Sequence, residues 1–130
     1  MPELPEVETI VQQLSSKILH KTISTIQSYD SLVVDPKLKT IKNQIITNIN
    51  RRAKYLYFTL NNNQFILIHL RMTGHFYYIN PQTAHSQPYQ KYRVAQFNFT
   101  DKSFLTFNAI RRFERLQLLT QTQLQSTLSK

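Results

Sequence analysis

The strongest constraint on this chain lies after residue 20, where eight short runs rich in Ile, Tyr, Phe and Thr follow one another with little between them. They span Thr22–Tyr29, Gln44–Ile49, Lys54–Leu60, Gln64–Leu70, Gly74–Ile79, Tyr92–Phe99, Ser103–Asn108 and Phe113–Leu118. Each run has the length and the β-branched and aromatic content of a strand rather than a helix. Asn61-Asn62-Asn63 and Thr100-Asp101-Lys102 each separate two runs by a few residues, and Asn and Asp tolerate the left-handed backbone that hairpins require. Ahead of the strands, Val7, Ile10, Val11, Leu14 and Ile18 recur at three-and-four spacing, which predicts an amphipathic helix over residues 3–19. Acidic Glu3 and Glu6 and Pro5 suit its first turn. A second, short helix is expected at Asp35 as cap, with Pro36 in its first turn and Leu38 and Ile41 inward. The expected fold class is α+β, mostly β: a two-layer sandwich of about eight strands with an amino-terminal helix and a second short helix.

A chain of 130 residues with 41% hydrophobic content suits one domain with a real core. Residues 1–120 are expected to form that domain, 121–130 a polar tail or the start of a linker, and Asn80–Gln90, with two prolines and three glutamines, a surface loop. Gly74, the single glycine, is expected to be positionally constrained. No apolar run reaches the roughly 18 residues of a membrane span, so a cytoplasmic chain without membrane partners is expected. With no cysteine, and His20, His69, His75 and His85 scattered, no metal site or other cofactor is expected in this chain.

Sixteen Lys and Arg against seven Asp and Glu give a net charge of +9, so polyanions are the expected partners. The charge is also unevenly distributed. From Pro36 to Thr100 there is no carboxylate, while Lys37, Lys39, Lys42, Arg51, Arg52, Lys54, Arg71, Lys91 and Arg93 accumulate there. Such a stretch can face a phosphate backbone without like-charge repulsion.

Met1 precedes the small residue Pro2, so removal of the initiator would leave a secondary amine at the terminus. An α-amino group has a reference pKa of about 7.7–8.0 and is partly neutral at physiological pH, which suits it to nucleophilic attack. The flanking run Pro2-Glu3-Leu4-Pro5-Glu6-Val7-Glu8-Thr9 closely resembles the amino-terminal signature of bacterial formamidopyrimidine-DNA glycosylases. Leu4 and Val7 resemble that branch more than the related endonuclease VIII branch. Three further stretches are similar to family motifs: Arg51-Arg52-Ala53-Lys54-Tyr55-Leu56, His69-Leu70-Arg71-Met72-Thr73-Gly74 and Ile110-Arg111-Arg112-Phe113.

The resemblance implies base-excision repair of double-stranded damaged DNA by a monomeric, bacterial-type, nucleoid-associated glycosylase and abasic-site lyase that removes oxidised purines such as formamidopyrimidines and 8-oxoguanine. It implies Pro2 as nucleophile through a Schiff base, Glu3 as acid and Lys54 as an active-site lysine. Met72, Arg111 and Phe113 become the wedge that fills the gap left by an everted nucleotide, an insertion that offsets part of the lost stacking. Tyr92 takes a position where relatives often carry a phosphate-contacting histidine. On residue type alone, Glu3 reads as a helix-terminal acid, Lys54 as a solvated face, and Met72 and Phe113 as core. This sequence departs from the family at Arg71 and Glu114, where glycines are usual, and at Ala109-Ile110, where Asp-Pro is usual. The family's helix-two-turns-helix part, and its zinc finger, which holds the zinc, are not expected in these residues. Two other readings remain at this point: a tautomerase using an amino-terminal proline, and a non-enzymatic or degenerate basic nucleic-acid-binding module.

Overall fold

The structure is a computed structural model, and it describes residues 4–53, 55–69, 74–80, 92–109 and 115–129. An amino-terminal helix α1 (Leu4–Ile18) leads into strand β1 (Thr22–Ser28). A 3-10 helix (Pro36–Thr40) follows, then β2 (Gln44–Arg52), β3 (Tyr55–Leu60), β4 (Phe65–His69), β5 (Gly74–Ile79), β6 (Arg93–Phe99), β7 (Phe104–Ala109), β8 (Arg115–Leu119) and α2 (Gln121–Leu128). All eight expected strands are present.

Hydrogen bonding joins the strands in the order β5-β7-β6-β1-β2-β3-β4-β8, with every neighbouring pair antiparallel. The joint between β1 and β2 is only two residue pairs, Thr22↔Ile45 and Ile23↔Gln44. From that joint the two strands run away from each other, so a flat sheet would put Ser28 and Arg52 at opposite ends. The sheet instead folds over at the joint into two four-stranded layers. Phe58 of β3 meets Phe97 of β6 edge-on, with ring centroids 6.0 Å apart, and Phe76 of β5 at 6.4 Å. Phe58 and Phe97 are fully buried, in one continuous cluster with Ile23, Leu56, Ile66, Ile68, Leu105 and Phe107. Edge-to-face rings add to the burial of apolar area that holds the layers together.

The helices follow the same logic. Leu14 and Ile18 of α1 are buried and Ile10 and Val11 half-buried against this core. Asp35 caps the short helix through the Lys37 N–H at 3.0 Å, and Leu38 and Ile41 point inward as expected. It is a single 3-10 stretch rather than an α-helix: the Ile41 N–H already returns to the Leu38 carbonyl at 3.2 Å, an i to i+3 bond. Asp35 also accepts from the Leu118 N–H at 3.2 Å, tying the short helix to β8.

The stretch expected as a polar tail is helical over Gln121–Leu128, because Thr120 and Gln123 form a reciprocal capping box and Leu124 is buried. Gly74 supplies no left-handed turn but opens β5 opposite Ala109. Among the described residues, His20, Asn43, Ala53, Asn63 and Lys102 hold the positive-φ positions instead. In the second hairpin turn it is therefore Lys102, at φ 74°, that turns left-handed, while Asp101 accepts from the Ser103 N–H at 3.0 Å. The loop expected over Asn80–Gln90 falls outside the described residues except for Asn80.

Candidate functional site

Strand register decides which chain ends come together. In one layer Arg52 pairs with Tyr55, Tyr55 with His69, and His69 with Arg115. These four residues form one row across β2, β3, β4 and β8. In the other layer Gly74 pairs with Ala109, and Arg93 with Asn108, beside Ser28↔Ala95. Two short connections then bind the rows to each other. Five peptide steps from His69 to Gly74 span at most roughly 18 Å, and six from Ala109 to Arg115 roughly 22 Å. Both layers therefore end at a common rim, opposite the turns at Asn61–Asn63 and Thr100–Lys102 that flank the β1–β2 joint.

The described residues of that rim flank, in sequence, the segments singled out above. Lys54 stands between Arg52 and Tyr55, Met72 between His69 and Gly74, and Arg111 and Phe113 between Ala109 and Arg115. Pro2 and Glu3 directly precede α1. These six residues themselves lie outside the described residues. Tyr92, the seventh, is half-buried beside the start of β6 on the rim.

The rim is organised by contacts that sequence reading missed. The Arg51 Nε donates to the Glu8 carboxylate at 2.6 Å, fastening α1 near its start to the end of β2. The Arg93 guanidinium lies over the exposed Tyr29 ring, 4.2 Å from its centroid, and donates to Gln96 Oε1 at 2.7 Å. Gln96 in turn donates to Asn98 Oδ1 at 2.8 Å, and Asn98 to Thr25 Oγ1 at 3.1 Å, so Arg93 is held by a polar row running along its layer. The Tyr55 and His69 rings sit 4.9 Å apart in the other layer. Opposite charges at positions 8 and 51 were a readable signal, but 43 residues of separation hid their pairing.

All seven arginines, at positions 51, 52, 71, 93, 111, 112 and 115, belong to rim strand ends or to the segments joining them. Lysines are spread more widely: Lys21, Lys42 and Lys102 flank the joint, while Lys54 and Lys91 adjoin rim residues in sequence. Arginine presents a planar fork of donors that matches phosphate oxygens two at a time, which a lysine ammonium does not. Among the described residues, no three His, Asp or Glu side chains cluster to hold a metal ion, and no helix is long and apolar enough to cross a membrane.

A family model described as the formamidopyrimidine-DNA glycosylase N-terminal domain matches residues 1–116. The chain belongs to this glycosylase family. The formamidopyrimidine-DNA glycosylase of Protochlamydia amoebophila is 38% identical over 129 residues, covering 95% of this chain and 45% of that protein. The Mycoplasma genitalium enzyme of the same name is 34% identical over 135 residues, covering 100% of this chain and 46% of its own length. Among solved structures, Lactococcus lactis Fpg in complex with DNA containing an abasic site superposes with a TM-score of 0.86 at 26% identity, covering 98% of this chain and 48% of that one. MutM in complex with DNA containing carbocyclic 8-oxo-G gives 0.84 at 27% identity, again covering 98% and 48%. The chain thus spans about half the length of the relatives it matches, and its sandwich is the fold of their amino-terminal domain.

Proposed function

We propose that this chain carries the catalytic amine of a DNA glycosylase and abasic-site lyase, acting on oxidised purines in double-stranded DNA as a monomer in a bacterial cytoplasm. The observation that carries this reading is the convergence of every arginine-bearing segment, and of the anchored start of α1, on one rim. Once Met1 is removed, the neutral Pro2 nitrogen attacks C1′ of the damaged nucleotide, and the bond from C1′ to the base breaks with the electron pair leaving on the base. Glu3, in its acid form, protonates the departing base or the opening sugar oxygen. The nitrogen then loses its proton, and the bond from C1′ to the ring oxygen breaks with its electron pair leaving on that oxygen, which gives a cationic iminium between nitrogen and C1′ that acidifies the C2′ proton. Loss of that proton expels the 3′ phosphate, and Lys54 assists at this stage or in holding the base. Met72, Arg111 and Phe113 fill the vacated stack, with Arg111 facing the orphaned base, while Tyr92 offers a neutral hydrogen bond to phosphate.

Borohydride trapping with a duplex containing an abasic site tests the reading. The mature chain, in excess over DNA, is expected to give a reduced covalent adduct that migrates above free DNA. No adduct, beside a competent full-length glycosylase that gives one, contradicts it.

A further inference from the structure

The two groups assigned to the chemistry, Pro2 and Lys54, belong to chain segments 52 residues apart in sequence, and one described side-chain contact ties those segments together. Glu8 stands four residues into α1, about 6 Å along the axis from Leu4. Its carboxylate accepts from the Arg51 Nε at 2.6 Å. Pro2 is six residues before Glu8 and Lys54 three residues after Arg51, so the contact joins the two segments a few residues in sequence from each group. Beside it, β2 is paired with β3 up to Arg52↔Tyr55. Directly after Arg52, Ala53 takes φ 53°, a value normally left to glycine or asparagine, so the backbone at Ala53 is strained.

We infer that Glu8 and Arg51 are positioning residues whose ion pair fastens the start of α1, the element that Pro2 precedes in sequence, to the end of β2, and that attack by the terminal amine depends on this fastening. The inference rests on the function proposed above. Both side chains are partly exposed, at 47% and 32%, so the pair contributes little to stability. Its value lies in geometry, because covalent attack is steeply sensitive to sub-ångström placement of the nucleophile.

The full chain and three variants, Glu8→Arg, Arg51→Glu and the exchanged double variant, separate this role from a merely structural one. Adduct formation is followed in single turnover with protein saturating over abasic-site duplex, alongside thermal melting and DNA affinity. Each single variant is expected to melt within about 3 °C of the parent. Each is expected to form adduct ~10- to 100-fold more slowly at saturation, and the exchanged pair to recover most of the rate. A parent that traps DNA while the single variants keep its saturated rate, or losses that the exchange does not recover, overturns the inference and leaves the proposed function standing. A parent that forms no adduct overturns both.

Discussion

At the scale of single residues, the costs of this fold sit in its turns. A left-handed backbone at Ala53 costs roughly 1–2 kcal/mol because Cβ crowds the carbonyl, whereas Asn43 and Asn63 adopt it more readily. Sequence alone pointed to Asn63 but not to Ala53 or Lys102, since their side chains carry no turn preference and only the pairing of the flanking strands imposes the conformation. Beside Lys102, the Lys21 ammonium donates to the Asp101 carboxylate, which also accepts from the Ser103 hydroxyl and N–H. The Lys21 hydrogen bond, followed by that from Ser103, holds the Asp101 carboxyl down at about 2, against an ordinary 3.8. A carboxyl depressed in the folded state stabilises the fold above its ordinary value and loses that contribution as pH falls through the folded one. The chain is therefore expected to melt higher than Asp101→Asn at pH 6 and to lose that margin between about pH 4 and pH 2. Because Asp101 is half exposed, the margin is at most ~1 kcal/mol. Melting curves of both proteins across that range check this, and a margin independent of pH contradicts it.

At the scale of elements, the runs legible in sequence were those whose composition and burial agree. Ile46, Leu56, Phe58, Leu60, Ile66 and Ile68 are buried strand residues, and the runs containing them were readable from side-chain type. Helix α2 was obscured by polar composition: Gln121, Thr122, Gln123, Gln125, Ser126 and Thr127 surround a single inward Leu124. The capping residues Thr120 and Gln123 were nonetheless visible at the required spacing of three. Replacing Thr120 by Ala removes the side-chain acceptor for the Gln123 N–H, at 3.2 Å, and is expected to weaken α2 by ~1 kcal/mol. Amide hydrogen exchange is expected to speed up about fivefold across residues 121–128, with β3 and β6 unchanged. Uniform acceleration throughout the sandwich would show instead that α2 supports the whole fold.

At the scale of the whole molecule, the feature hidden from sequence was the fold-over at the β1–β2 joint. It depends on two residue pairs and on the lengths of two connections, and so on register that composition does not encode. The candidate site was legible only through its motifs. That the strand ends bordering these motifs share one rim, with every arginine in or next to them in sequence, emerged from topology. If the rim faces phosphate, Arg52→Gln is expected to lower the slope of log affinity for duplex DNA against log salt by about 1, while Lys102→Gln, near the joint, leaves it unchanged. Equal effects from the two variants, measured by salt titration, would place the DNA elsewhere.

Peptide mapping by mass spectrometry of the borohydride-reduced adduct tests the proposed chemistry most directly. The account predicts that the sugar remnant is found on the amino-terminal peptide, attached to the nitrogen of Pro2 in a chain that has lost Met1. Attachment to Lys54 or to any other lysine, with the terminal peptide unmodified, would contradict it.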